Sequence, residues 1–167
     1  MNADWLFTAA LAAALLLDVA TKALVQARFA LGESLPLLPG LALTYVRNTG
    51  AAFSLLAGAP GRLRRPFFAL VTLAACTAAL WMLRTVPRRD RLSRLGLGLV
   101  VGGALGNFAD RVRLGEVVDF IEVGVRNVYT WPVFNVADSA VCVGVALLAW
   151  RTLRPQAPAP PGGEPTA

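Results

Sequence analysis

Four stretches of the chain are long and apolar enough to cross a bilayer as helices, which takes about 20 mainly apolar residues each. Trp5 to Ala27 is uncharged as far as Leu17 and is then interrupted by Asp18 and Lys22. Pro66 to Leu83 carries no charge, and Pro66 suits a first helical turn, where its missing N–H removes no bond. Leu95 to Asp110 places Gly98, Gly102 and Gly106 at four-residue spacing, the small-residue pattern that lets membrane helices approach closely. Pro132 to about Trp150 is short and holds Asp138 near its start. The connection from Arg28 to Arg65 is long for a helical bundle, and Leu41 to Tyr45 ahead of the turn residues Asn48, Thr49 and Gly50 predicts short strands there. The chain thus reads as one four-helix domain over 1–154, followed by a proline-rich flexible tail over 155–167 on the cytoplasmic side.

Composition narrows the chemistry. Of 167 residues 56% are hydrophobic and 16% charged, against about a quarter charged in soluble domains, and the mean hydropathy is +0.59. There is no histidine, which removes Ser-His-Asp triads, Cys-His dyads and histidine-based zinc sites. Cys76 and Cys142 both lie in apolar runs and read as packing residues, so neither a disulfide framework nor a thiolate metal site is expected. The net charge of +6 fits an anionic membrane surface better than nucleic acid, given the apolar content. Arg84, Arg88, Arg89, Arg91 and Arg94 crowd between the second and third spans, and Arg151 and Arg154 follow the fourth; the positive-inside rule puts both groups, and both termini, in the cytoplasm. Arg62, Arg64 and Arg65 in the outer loop run against that rule. The leader Met-Asn-Ala-Asp lacks a cation ahead of the first apolar run, which argues against a cleavable targeting segment.

In this topology Asp18, Asp110, Asp119 and Asp138 all fall at the outer membrane face. Carboxylates at membrane depth are costly unless partnered, and they mark functional sites by default. Asp18 has Lys22, the single lysine, at i+4 on its own helical face, which supports a structural pair that orients a site. Asp110 has Arg111 beside it and Asn107 one turn earlier, which also reads as structural. Asp119 and Asp138 have no cation at helical spacing, and Asn135 lies one turn before Asp138; on spacing alone a catalytic and a structural role are equally open. The alternation of Val117, Val118, Phe120 and Ile121 turns Glu116 and Glu122 away, toward solvent. Two carboxylates around one water share a single proton, and the pair activates the water while polarising an amide carbonyl. That chemistry needs no metal, cofactor or histidine. Two rivals stand beside it: a Ser-Lys peptidase using Lys22 with Ser54 or Ser139, and a small proton- or cation-coupled transporter.

Five blocks occur in fixed order: Asp18-Val-Ala-Thr-Lys22, Asn48-Thr-Gly-Ala-Ala-Phe53, Gly102 through Asn107 to Asp110-Arg111, Gly115-Glu-Val-Val-Asp119, and Phe134-Asn135-Val-Ala137-Asp138. Together they resemble the lipoprotein signal peptidase (signal peptidase II) family from about Asp18 to Gly144. The resemblance implies an all-α membrane protein of four transmembrane helices, with a small extracytoplasmic β-cradle over roughly Glu33 to Leu56 and a short amphipathic helix near Gly58 to Arg65. It implies an aspartic endopeptidase of the bacterial inner membrane that cleaves diacylglyceryl-modified prolipoproteins on the amino side of the lipidated cysteine. By motif position it makes Asp119 and Asp138 the catalytic pair. Asp18, Lys22, Asn48, Gly102, Asn107, Arg111, Asn135 and Ala137 become the supporting or substrate-binding residues. Asn48 would reach the substrate backbone, Phe53 and Leu55 would pack near lipid or signal-peptide side chains, and the enzyme would work as a monomer with membrane lipid around it.

Overall fold

The computed structural model describes residues 4–50, 60–125 and 129–153. Its elements run α1 (Asp4–Arg28), β1 (Ser34–Leu38), β2 (Leu41–Asn48), α2 (Gly61–Thr85), α3 (Arg91–Leu114), β3 (Val117–Val125), β4 (Tyr129–Thr130) and α4 (Val136–Leu153). All four helices are long and apolar enough to span a membrane. Phe53, Leu55, Ser54 and the residues after Leu153, including the expected tail, lie outside the described residues.

The helices extend past the apolar windows. α2 starts at Gly61, capped by Pro60, so Pro66 sits inside the helix and not in its first turn. Residues 61–65 of the expected short helix are continuous with this span. α3 is capped at its start by Asp90, whose carboxylate accepts from the Ser93 N–H, and continues one turn beyond Asp110 to Gly115, whose φ of 77° closes the helix in the left-handed region. α4 begins at Val136, later than the hydrophobic pattern suggests. The cause is local, because Asn135 and Asp138 cap the helix there, as described below.

α3 is the central mast, and its glycines make it so. A Cβ on Gly102 would lie 2.6 Å from the Leu11 carbonyl oxygen of α1, and one on Gly96 would lie 2.9 Å from the Gly144 carbonyl oxygen of α4. Backbone on backbone is the only fit at these points, which draws α1 and α4 onto opposite sides of α3. α2 rests on α3 through Ala79, Leu97 and Val101, with Cys76 at the edge of that cluster. Cys142 is exposed on α4.

The four strands form an antiparallel sheet in the order β1-β2-β3-β4. β3 belongs to the connection between α3 and α4, which the sequence presents as a loop. It pairs with β2 in the register Val46↔Asp119 and Asn48↔Val117. Val25, Tyr45, Val118 and Phe120 form a buried cluster that joins α1 to this sheet. The sheet is thereby seated on the helix ends that carry the acids.

Candidate active site

Asp119 is 2% exposed and lies in β3, diagonal to Asn48 of β2. The Asn48 Nδ2 donates to Asp119 Oδ2 at 3.0 Å, and the Asn135 Nδ2 donates to Oδ1 at 2.6 Å. Asn48 is itself held by an Asx turn in which its Oδ1 accepts the Gly50 N–H at 2.9 Å. Asn48 is thus engaged with the candidate catalytic residue, where the resemblance had it reaching for substrate. Burial pushes the Asp119 carboxyl up; the Asn48 and Asn135 amides oppose this and the neighbouring Asp138 charge adds to it, leaving it at about 6.

Asp138 is the third residue of α4, and with Asn135 it forms a reciprocal cap. Asn135 Oδ1 accepts the Asp138 N–H at 2.9 Å, while Asp138 Oδ2 accepts the Asn135 N–H at 3.3 Å. The other oxygen, Oδ1, accepts from Asn107 Nδ2 at 2.7 Å. Asn135 is fully buried and serves both carboxylates, its side-chain NH2 donating to Asp119 and its backbone N–H to Asp138, so one residue positions the two acids.

Beneath the pair lies a buried cation. Lys22 is 2% exposed, and its Nζ sits 2.7 Å from Asp18 Oδ2, 3.0 Å from Asp110 Oδ2 and 2.9 Å from Asn107 Oδ1. Three acceptors meet the three N–H donors of an ammonium. Each carboxylate then ties a further element: Asp18 Oδ1 accepts from the Ala137 N–H of α4 at 2.9 Å, and Asp110 Oδ2 accepts from the Val118 N–H of β3 at 3.1 Å. Asp110 therefore pairs with Lys22 of another helix. Adjacent residues on a helix do not face each other, which is why Arg111 is not its partner.

Arg111 points elsewhere and closes the site from the side. Its guanidinium lies 4.3 Å over the Phe68 ring of α2 and donates to the carbonyl oxygens of Gly50 and Asn107, each at 3.3 Å. Gly50 and Phe68 have no acid or amide signal in the sequence that would have marked them. Gly102 and Ala137 are packing positions: Gly102 admits α1, and Ala137, fully buried, supplies a backbone N–H. Glu116 lies 4.0 Å from Arg47, and Glu122 accepts from Thr44 across the β2–β3 pair. Both are half-buried on the sheet and away from the acid pair, so their expected full solvation gives way to cross-strand partners.

The predicted residues thus converge, and each carboxylate of the upper pair has both oxygens held by N–H donors. The Ser-Lys alternative fails here, because Lys22 has every donor engaged, and Ser139 Oγ donates to its own helix at Asn135 O, 3.0 Å away.

Residues 10–154 match the family model described as signal peptidase (SPase) II. Among curated proteins, the lipoprotein signal peptidase of Geobacter metallireducens is 49% identical over 89% of this chain and 91% of its own length. That of Geobacter sulfurreducens is 48% identical over 89% and 92%. A bacterial membrane enzyme solved in meso at 2.3 Å superposes with a TM-score of 0.78 at 31% identity, over 88% of this chain and 87% of that one. With the polar cluster gathered at one end of the bundle, these likenesses leave the transporter reading without support, and the chain belongs to the signal peptidase II family.

Proposed function

We propose that Asp119 and Asp138 are the catalytic dyad of this aspartic endopeptidase, which removes signal peptides from prolipoproteins. The observation that carries the assignment is Asn135, whose side-chain NH2 donates to Asp119 and whose backbone N–H donates to Asp138, which brings the two carboxylates to one site with no cation bonded to either among the described residues. The Lys22 charge is taken up by Asp18 and Asp110, which act as positioning residues.

The reaction follows from that arrangement. One carboxyl of the pair is protonated and the other ionised, because two acids around one water share a single proton. The ionised carboxylate takes a proton from a water while the water oxygen bonds to the scissile carbonyl carbon. The protonated carboxyl delivers its proton to the carbonyl oxygen, giving a neutral tetrahedral diol. The carboxyl that took the water's proton then protonates the amide nitrogen as the C–N bond breaks, the other carboxylate takes a proton from a diol hydroxyl, and the products are a new carboxyl terminus and a free amino terminus on the lipidated cysteine.

The same reading extends to setting. The cleaved bond lies on the amino side of a diacylglyceryl-modified cysteine, and a substrate with acyl chains enters from the bilayer. The arginine-rich turn between α2 and α3 faces the cytoplasm with both termini, which leaves the dyad near the extracytoplasmic face of the inner membrane. The enzyme is a monomer comprising residues 1–154, with 155–167 as a cytoplasmic appendage.

A gel-shift cleavage assay on purified protein in lipid tests the dyad. The parent should trim a diacylglyceryl-modified prolipoprotein and leave the unlipidated form intact. Asp119→Asn and Asp138→Asn should each lose activity by at least about a hundredfold, the lower end for removal of a general acid or base, while remaining folded. Near-parental cleavage by either variant overturns the assignment.

A further inference from the structure

The end of the bundle remote from the dyad carries a cavity that the peptidase chemistry does not use. It measures about 430 Å³ and is lined by Pro87, Arg89, Asp90, Arg91, Leu92 and Arg151, at the junction of the α2–α3 turn with the end of α4. That volume falls within the roughly 300–1,000 Å³ of small-ligand sites. Three arginines face one acid. The acid is already engaged: Asp90 accepts from the Ser93 N–H and hydroxyl, at 3.2 and 3.0 Å, and from Arg151 Nε at 2.9 Å. Burial alone would raise its carboxyl, but these donors outweigh it and hold Asp90 below the ordinary carboxylate range. Asp90 thus anchors Arg151 at the cavity wall through one N–H, while Arg89 and Arg91 are exposed and make no ion pair among the described residues. The cavity wants an anion.

Its depth says which kind. From Arg91 to Asn107, sixteen residues along α3 span roughly 24 Å, so the cavity lies at the opposite membrane face from the dyad. Trp5 at the start of α1, Trp81 near the end of α2 and Trp150 near the end of α4 stand at this same end, 46%, 66% and 54% exposed. Tryptophan rings on a lipid-facing surface mark the headgroup level. A cationic cavity at that level meets phosphodiesters of the adjoining leaflet before any soluble anion.

We propose that this cavity binds the phosphate of an anionic phospholipid headgroup, with Arg89, Arg91 and Arg151 as its ligands. The site depends on the chain spanning a bilayer and is independent of the catalytic assignment. Native mass spectrometry of the detergent-purified protein, titrated with phosphatidylglycerol, phosphatidylcholine or inorganic phosphate, reads it out. Phosphatidylglycerol should be retained in preference to phosphatidylcholine. The Arg89→Ala/Arg91→Ala variant should bind phosphatidylglycerol roughly 25-fold more weakly, at about fivefold for each arginine near an anionic headgroup. Arg89→Lys/Arg91→Lys should recover most of this, and Arg28→Ala/Arg113→Ala, which removes equal charge at the other end, should bind like the parent. Cleavage of substrate in detergent by the alanine variant should match the parent, which shows that it is folded. Equal retention of both lipids, an unchanged alanine variant, or an equal loss in the Arg28/Arg113 control each overturns the proposal, as does displacement of the lipid by inorganic phosphate at equal concentration.

Discussion

Lys22 Nζ lies 2.9 Å from Asn107 Oδ1, and this contact decides which way the Asn107 amide faces. An ammonium only donates, so the amide oxygen must turn toward it, and the NH2 group is left aimed at Asp138. Asn135 is oriented by the same logic: its oxygen meets the Asp138 N–H, so its NH2 faces Asp119. A buried lysine that touches neither carboxylate of the proposed dyad thereby governs the hydrogen bonds of one of them.

Replacing Lys22 with Met should leave Asp18 and Asp110 as buried carboxylates without a cation. Breaking a buried pair in this way costs about 3–5 kcal/mol, and here one cation serves two acids. Thermal unfolding in detergent should show a large fall in midpoint. A variant as stable as the parent would mean that the cluster does not hold the helix ends together.

Asn107→Asp keeps an oxygen for Lys22 but faces Asp138 with a carboxylate in place of an NH2 donor. Loss of one hydrogen bond to a charged group amounts to about 1.5–3 kcal/mol, so kcat should fall roughly ten- to hundredfold. KM should move little, because Asn107 stands behind the dyad. A change confined to KM would argue against the orienting role.

The raised Asp119 carboxyl has a stability consequence of definite sign. Folded, it holds its proton to about pH 6; in the unfolded chain it releases it near 3.8. The folded state therefore binds the extra proton between those values. The stabilisation from this group is full below about pH 4 and is lost as pH rises through about 6. Asp119→Asn should accordingly be more stable than the parent at pH 7, with the advantage shrinking toward pH 4. An infrared titration of the carboxyl stretch should show a band near pH 6 that the variant lacks. If the variant gains nothing at neutral pH, Asp119 is not buried as an ionised acid.

Gly102→Val would push a side chain into the Leu11 carbonyl and the Ala14 methyl, where even a Cβ would lie 2.6 and 2.9 Å away. Overpacking of this kind costs typically about 1–3 kcal/mol. Separation of α1 from α3 would also move Asp18 and Lys22 out of register with Asn107, so both thermal stability and cleavage should drop. Ser139→Ala, by contrast, should keep cleavage within a few-fold, since its hydroxyl only bonds its own helix.

The four spans were legible because an apolar run of that length has few other stable fates, and the converging acids were legible because charge is rare there. Strand β3 was not. Its partner β2 lies across the whole of α2 and α3 in sequence, and no local pattern reports the Val46↔Asp119 pairing. The partner of Asp110 was hidden for the same reason: Arg111 is next to it in the chain, yet Lys22, a helix away, is next to it in space. Helix ends were shifted where capping decides them, by the side chains of Asn135 and Asp138 for α4 and by the left-handed backbone of Gly115 for α3. Gly102 and Ala137 were singled out by motif, but what they do in the structure is steric and backbone-based, which residue type alone does not reveal.

The bond from the Ala137 N–H to Asp18 Oδ1 joins residues 119 positions apart. In order of synthesis, α1 is made first and α4 last. Until Asn135 to Asp138 enter the membrane, Asp119 lacks the Asn135 amide donor, Asp138 is absent, and Asp18 and Lys22 have only their own early neighbours. The chain thus assembles the proposed catalytic centre as the closing step of its own insertion, and a chain halted before that step is a set of helices without it.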